Sequence, residues 1–244
     1  MNKDINVEKK ASSLSKFVNV LMDVVDIIWK QERYVNLKDK FFYTILFKIT
    51  SILNSIEIQV YNLDNKPNYT IVTALALRTC MLDVLNLYYV MDEIESPVVM
   101  DNRVNTIMSD HLKHIYSDLS LEQRKIIQLE WKELFEKDGT LKKYTRLNSN
   151  ALLDGINKFA SIKTEAEEAK DLYDFFSKYE HNGAFTFNLI HNFYYSNSTH
   201  IIKEKIVRAI IICSIALRTT STHWIEKENK LIAKLDLYIQ ELVT

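Results

Sequence analysis

The sequence predicts an all-α fold, an antiparallel multi-helix bundle with two buried central helices. The chain of 244 residues contains only 3 glycines and 2 prolines. Sheets need tight turns, which are rich in Gly, Pro and Asn, whereas long helices exclude Gly and Pro. Hydrophobic residues make up 47% of the chain and charged residues 26%, as in ordinary globular proteins. We expect one helical domain over residues 1–244, with a sizeable core.

The few helix-breaking residues lie where helices are expected to end. Pro67 and Pro97 interrupt apolar patterns, and Pro97 suits the first position of a helix. Gly139, Gly155 and Gly183 each follow a periodic segment, as C-terminal caps do. These positions divide the chain into helices of ordinary length.

Two capping boxes indicate further helix starts, because a Ser or Thr three residues before Gln or Glu satisfies free N–H groups there. They are Ser120 with Gln123 and Thr164 with Glu167. The segment 138–149 is the best candidate for a loop or subdomain hinge. The predicted helices are 11–32, 37–63, 69–93, 97–117, 120–137, 150–160, 165–181, 184–195 and 199–242, the last with a break near 219–223 at the weak helix run TTST.

Two of these segments are apolar on every side. In 71–91 the polar residues are few, and in 206–217 only Arg208 and Ser214 interrupt the apolar run. A helix that is apolar all round is buried in the centre of a protein, so we expect these two helices to form the middle of the bundle. Both segments contain the four-residue sequence ALRT, at 76–79 and 216–219, which places an arginine at the end of each apolar stretch.

The composition argues against several classes of protein. The net charge of −1 is unlike that of a strongly basic duplex-binding protein, so any contact with nucleic acid is expected to be local. The charged N-terminus lacks the apolar segment of a signal peptide, and the longest apolar runs fall short of the ~20 residues that span a membrane. Cys80 and Cys213 lie in apolar helical segments and are expected to be buried free thiols. We expect a cytoplasmic protein with no membrane segment.

Metal and cofactor motifs are missing from the sequence, which has no C-x-x-C, no H-E-x-x-H and no glycine-rich phosphate loop. We therefore expect no cofactor and no metal. His111 and His114 share a helix face beside Asp110 and could bind a metal, but an exposed polar face is the preferred interpretation. The basic cluster at 142–146 could contact RNA backbone, with a solvated loop as the alternative.

Arg78 is a first candidate for a site. A guanidinium stays charged, so its burial requires a carboxylate or several carbonyl partners. Asp83 lies five residues later and about 140° round the helix, so we expect the two side chains to meet partners on neighbouring helices. Arg78 and Asp83 are candidate substrate-binding residues, with Arg78 aimed at a phosphate or another anion. A structural buried ion pair is the alternative.

A second candidate is a polar line along one helix, formed by Asp174, Ser177 and His181 at the border of an apolar stripe. His181 lies at the predicted C-terminal end, where the helix dipole favours the charged imidazolium. Such a histidine beside an acid could act as a general acid–base. The order of the three residues does not fit a serine-hydrolase triad. A histidine that caps the last helix carbonyls is the alternative.

A third candidate is the pair Arg218 and His223. Five residues apart in an unbroken helix, the two side chains point about 140° from each other, so they converge only where the helix bends. One pair with this spacing is near what the composition provides by chance. The alternative is two unrelated residues in a region of weak helix propensity.

The chain resembles a broad set of bacterial helical proteins grouped with the HEPN superfamily. The resemblance rests on the apolar helix TALALRTCMLDVLNLYYV, the aromatic helix LYDFFSKYEHNG, and the match of 218–223 to the R-x(4–6)-H pattern. It implies an all-helical, often dimeric protein of toxin–antitoxin or phage-defence type, and many such proteins are metal-independent ribonucleases. By the motif, Arg218 would hold the scissile phosphate and His223 would perform acid–base chemistry. Thr219 stands where active members often carry Asn, Asp or His, so an inactive partner is also compatible.

The leading hypothesis is therefore a HEPN-like protein of bacterial defence, with metal-independent endoribonuclease activity and RNA as a partner. Arg218, His223 and His181 are its candidate catalytic residues, and Arg78, Asp83 and Ser177 its candidate substrate-binding residues. One alternative is a non-catalytic helical interaction module with a protein partner or a second copy of the chain. Another alternative is a small-ligand pocket in the bundle, lined by the arginines and by three tyrosines, Tyr88, Tyr89 and Tyr179.

Overall fold

The computed structural model describes residues 6–63, 68–143, 147–178, 199–227 and 229–244. Within these ranges the chain forms nine α-helices that pack against one another, and it forms no β-strand. The all-α prediction is confirmed. The helices are α1 (Val7–Lys30), α2 (Leu37–Tyr61), α3 (Asn68–Met91), α4 (Pro97–Tyr116), α5 (Leu121–Glu130), α6 (Ser149–Asp154), α7 (Ala160–Ser177), α8 (Thr199–Ser221) and α9 (Lys230–Val243).

Helices α3 and α8 lie at the centre of the bundle, as their all-round apolar sequences predicted. Helix α3 packs against α2, α4, α6, α7 and α8, and α8 also packs against α1 and α9. Cys80 of α3 and Cys213 of α8 are both fully buried free thiols. Burial and the neighbouring Cys80 thiol raise the pKa of Cys213 well above its ordinary value, so the Cys213 sulfur stays protonated.

The capping box of Ser120 and Gln123 is confirmed, but the one predicted for Thr164 and Glu167 is wrong. Helix α7 begins at Ala160, so Thr164 lies inside the helix, where its hydroxyl donates to the Ala160 carbonyl at 3.0 Å. The carboxylate of Asp92, just after α3, accepts hydrogen bonds from the backbone N–H groups of residues 157–159 and so holds the segment that leads into α7. Sequence spacing cannot reveal this contact, because Asp92 lies 65 residues before Asn157.

The predicted helices 120–137 and 150–160 are shorter in the structure. Helix α5 ends at Glu130, and the chain continues through a 3₁₀ turn, Lys132–Leu134, to an isolated antiparallel bridge between Phe135 and Leu141. Helix α6 ends at Asp154, and Gly155 caps it as expected. The predicted helix 184–195 lies outside the described residues.

The last predicted helix breaks where its hydroxyl run predicted. Helix α8 ends at Ser221 and α9 begins at Lys230. Thr219, Thr220 and Ser221 each donate a hydrogen bond to the carbonyl four residues earlier, at 2.8–2.9 Å. Side chains that bond to the helix backbone in this way often bend a helix, which accounts for the break.

Two helices are long and apolar enough to cross a membrane by length and composition alone. They are α2, with a mean hydropathy of 1.3, and residues Tyr69–Met91 of α3, with a mean hydropathy of 1.5. Inside the bundle, 44% and 61% of their most apolar windows are buried. Core helices of a bundle have this character as well.

Candidate functional site

Arg218 clamps α8 to α9. Its guanidinium makes two parallel hydrogen bonds to Asp236, from Nε to Oδ1 at 2.7 Å and from Nη2 to Oδ2 at 2.9 Å. These hydrogen bonds hold the pKa of Arg218 above its ordinary value. A bidentate pair of this kind fixes orientation as well as charge. Arg218 therefore ties the two helices together across the break at 222–229.

His223 is tied to a different helix. Its Nε2 atom lies 2.8 Å from Oδ1 of Asp39 in the first turn of α2. The imidazole packs between the rings of Phe42 and Trp224, with both centroid distances at 4.9 Å. Trp224 in turn donates from Nε1 to the Arg33 carbonyl at 2.9 Å. His223 thus joins the turn that follows α8 to the first turn of α2.

The structure does not bring Arg218 and His223 together at a shared site. Each is held by its own carboxylate, and these carboxylates lie on α9 and α2. A phosphate at Arg218 would have to compete with Asp236 for the same two N–H groups. For His223 to face Arg218, the imidazole would have to leave both Asp39 and its aromatic neighbours.

Arg78 and Ser177, separated by 99 residues, are brought into contact where α3 packs against α7. The guanidinium Nε donates to the Ser177 hydroxyl at 3.0 Å and Nη2 donates to the Tyr173 hydroxyl at 3.2 Å. The same guanidinium lies 5.0 Å from the centroid of the Tyr173 ring, a cation–π distance. Ser177 also donates to the Tyr173 carbonyl at 2.7 Å, so the three side chains form one polar cluster. His181, predicted to continue this line, lies outside the described residues.

Asp83 belongs to neither of these clusters. It is 6% exposed and pairs with Lys48 of α2, whose Nζ atom lies 2.8 Å from Oδ2. Burial raises the pKa of Asp83, and Lys48 opposes this shift only in part. Arg78 and Asp83 thus meet partners on neighbouring helices, as their spacing predicted.

Two of the three tyrosines proposed to line a ligand pocket lie within the described residues. Tyr88 is 2% exposed in the core, and the centroid of the Tyr89 ring lies 4.1 Å from Cζ of the Arg103 guanidinium. Tyr179 lies outside the described residues. A cavity of about 180 Å³ lies against α4, and His111 and His114 line it. Within the described residues, no group of three metal-binding side chains is assembled, there or elsewhere.

Sequence reasoning missed a buried charge network at the end of α3. Asp92 is fully buried, Glu93 is 4% exposed, and Arg103 of α4 contacts both carboxylates. Lys158 also pairs with Glu93, and Arg103 donates to the Gly155 carbonyl at 3.0 Å. The only signal in the sequence is the adjacent acids in MDEIESP, which look like an exposed helix end. The network joins α3, α4, α6 and α7.

An aromatic surface near the turn between α1 and α2 was also missed. It consists of Trp29, Tyr34, Tyr43 and Phe47, whose neighbouring ring centroids are 5.3–6.3 Å apart. Trp29 is 58% exposed and Phe47 is 49% exposed. Large aromatic rings that remain exposed together are typical of surfaces that bind a partner.

Comparisons with known proteins add no assignment to this geometry. No protein-family model matches the chain, and no curated protein and no solved structure matches it with statistical significance.

Proposed function

We propose that this chain is a non-catalytic helical interaction module, in which Arg218 and His223 are internal ties. The observation that supports this most strongly is their pairing with two separate carboxylates, Asp236 and Asp39. Metal-independent RNA cleavage needs a cation at the phosphate and a proton-transfer group at the same place. Here both groups are engaged in joining helices. The proposal places the protein in the cytoplasm, in keeping with α2 and α3 serving as core helices.

We propose that such a module binds its partner through the aromatic surface, and that this partner is a second copy of the chain. The exposed ion pair of Asp26 and Lys30, with Nζ and Oδ2 3.1 Å apart, borders Trp29 on α1. A two-fold contact places the same patch against itself, so a patch that offers both signs of charge beside apolar rings is self-complementary. This supports a homodimer, as the resemblance to often dimeric proteins also implies.

Light scattering tests the homodimer directly. We expect the wild type to be a dimer at tens of micromolar, and we expect the double variant Trp29→Ala, Phe47→Ala to be a monomer. Leu129→Ala is the matched control, because Leu129 is 80% exposed on α5, outside the aromatic surface. A wild type that remains monomeric at all concentrations would overturn the homodimer.

An RNA-cleavage assay in EDTA tests the proposed lack of catalysis. We expect the wild type, Arg218→Ala and His223→Ala to leave single-stranded RNA intact, and the two variants to unfold at lower temperature than the wild type. Cleavage by the wild type that either folded variant lacks would overturn the proposal. Equal cleavage by all three would also overturn the lack of catalysis, and it would assign the activity to residues other than Arg218 and His223.

A HEPN-like metal-independent endoribonuclease of bacterial defence is the second candidate, and one observation favours it. Arg78 and Ser177, both proposed from the sequence, lie in contact at 3.0 Å. In this candidate Arg78 would hold the RNA phosphate and His181 would transfer the proton. The expected result is cleavage in EDTA that Arg78→Ala and His181→Ala abolish and His223→Ala retains. Unchanged cleavage in Arg78→Ala would refute it.

A further inference from the structure

The aromatic surface is one end of a longer face that α1 and α2 present together. The outward positions of α1 recur at alternating steps of three and four residues, so they follow one side of the helix. They are Ser12, Ser15, Asn19, Met22, Asp26 and Trp29; Ser15 is half-buried and the others are exposed. The outward positions of α2 recur at intervals of three, four and seven residues and are Tyr43, Phe47, Asn54, Ile58 and Tyr61. We call these two rows of residues the hairpin face.

Contacts at both ends show that the two rows lie side by side. At one end the ring centroids of Trp29 and Tyr43 are 6.3 Å apart. At the other end the Tyr61 hydroxyl donates to Oε1 of Glu8 at 3.2 Å. The two helices therefore run antiparallel, and the hairpin face follows the line between them from one end to the other.

A groove lies at the end of the hairpin face opposite the aromatic surface. Its volume is about 440 Å³, and small side chains of α1, Ala11, Ser12 and Ser15, form one wall. Ile58 and Tyr61 of α2 form the other wall, and they are 71% and 52% exposed. Because an apolar cavity of about 150 Å³ holds benzene, the groove has room for an aromatic side chain.

Two carboxylates make the groove suitable for tryptophan and tyrosine in particular. Glu8 and Glu57 both line it, and an ionised carboxylate accepts several hydrogen bonds. Lys16 also lines it, with Nζ 3.5 Å from Oε2 of Glu241. Indole and phenol rings combine an apolar body with one N–H or O–H donor. The groove thus offers apolar walls for the ring and acceptors for the donor.

The area that a dimer must bury favours the whole hairpin face over the aromatic surface alone. Specific interfaces bury at least about 1,200 Å² in total, or about 600 Å² per copy. Four rings that are partly buried against one another do not reach this area. From Glu8 to Trp29 the hairpin face is about 32 Å long and about 20 Å wide, which supplies about 600 Å² per copy.

We propose that two copies of the chain pack antiparallel across the hairpin face, so that the aromatic surface of each copy occupies the groove of the other. The inference rests on the proposed homodimer, and it names the part of the second copy that the aromatic surface binds. The self-complementary patch is then the whole hairpin face, as a two-fold contact requires.

A single two-fold axis satisfies both helices. Trp29 opposite Ser15 of the other copy places Met22 opposite itself, because position 22 is midway between them. Phe47 opposite Ile58 of the other copy places the axis beside positions 52–53 of α2. Since Trp29 contacts Tyr43 in the antiparallel hairpin, position 22 lies level with position 50, within one turn of that point.

Cysteine crosslinking locates the axis. Met22→Cys and Lys30→Cys are each treated with a short bismaleimide at tens of micromolar protein, and light scattering records the oligomeric state of both. We expect Met22→Cys to form a covalent dimer. Lys30→Cys is the matched control on the same helix, because its two sulfurs would lie about 24 Å apart. Cys80 and Cys213 are fully buried, so the wild type gives the background reaction.

A second pair of variants tests the groove itself. Ser15→Trp fills the groove from its own wall, and we expect it to weaken dimerisation at least tenfold. Leu129→Trp adds the same bulk on α5, outside the hairpin face, where Leu129 is 80% exposed. We expect Leu129→Trp to dimerise as the wild type does.

A wild type that stays monomeric overturns both the homodimer and this inference. A dimer in which Lys30→Cys crosslinks at least as well as Met22→Cys, or in which neither variant crosslinks, overturns the inference and leaves the homodimer standing. Unchanged dimerisation of Ser15→Trp does the same. Should Met22→Cys fail to fold, Asn19→Cys, about one turn earlier on the same face, replaces it with the same expected result.

Discussion

Replacing Asp92 with alanine is the most informative perturbation of this fold, because its carboxylate joins the end of α3 to the start of α7. Asp92 is fully buried, and its two oxygens accept hydrogen bonds from the backbone N–H groups of residues 157–159 at 3.0–3.2 Å. The Arg103 guanidinium lies 3.8 Å away. Truncation would leave three N–H groups and part of a buried cation without their acceptor.

The expected loss is a large part of the stability of the domain. A hydrogen bond to a charged group contributes about 1.5–3 kcal/mol, and removal of one partner of a buried ion pair costs about 3–5 kcal/mol. Water that enters the space left by Asp92 replaces some of the lost hydrogen bonds. We therefore expect Asp92→Ala to lower the free energy of unfolding by about 3–5 kcal/mol and the melting temperature by about 6–20 °C.

Urea unfolding followed by far-ultraviolet circular dichroism measures this loss. Asp23→Ala is the matched control, since Asp23 is exposed on α1, and its effect should stay within about 0.5 kcal/mol. Asp92→Asn should fall between the two, because the amide keeps one acceptor oxygen. A loss below about 1 kcal/mol in Asp92→Ala would refute the assigned role of the network.

Two further perturbations test the packing and the electrostatics of α3. In Gly155→Ala the new Cβ would lie 2.5 Å from Cε2 of Tyr89, so the ring must move; we expect a loss of about 1–3 kcal/mol in urea unfolding. Asp83→Asn should raise the melting temperature at pH 7, because the raised pKa shows that the buried charge costs stability there. This gain should shrink as the pH falls through the folded pKa of Asp83 towards its ordinary value of 3.8, and a pH-independent gain would contradict the argument.

Most of the fold could be predicted from local patterns. The apolar periodicity located α1 to α4 within a few residues, and the lack of polar residues in 71–91 identified a central helix. The start of α7 could not be predicted, because the segment that leads into it is held by Asp92, 65 residues before Asn157 in the chain. The local capping signal at Thr164 is misleading, because α7 begins four residues earlier, at Ala160.

The contacts of the candidate site residues also divide into those that local sequence patterns predict and those that they do not. The contact of Arg78 with Ser177 follows from a buried cation that needs polar partners and a serine at the edge of an apolar stripe. The partners of Arg218 and His223 could not be predicted, since Asp39 precedes His223 by 184 residues and Asp236 lies beyond the helix break. The sequence spacing predicts the angle between the Arg218 and His223 side chains on a helix, but it does not predict which carboxylate each side chain contacts.

A double-mutant cycle on Arg218 and His223 tests the central claim that these residues serve separate ties. Free energies of unfolding are measured for Arg218→Ala, His223→Ala and the double variant, with a parallel cycle for His223 and Asp39. We predict that the Arg218 and His223 effects add to within about 0.3–0.5 kcal/mol, whereas His223 and Asp39 are coupled more strongly. A coupling between Arg218 and His223 that exceeds the one between His223 and Asp39 would contradict the account.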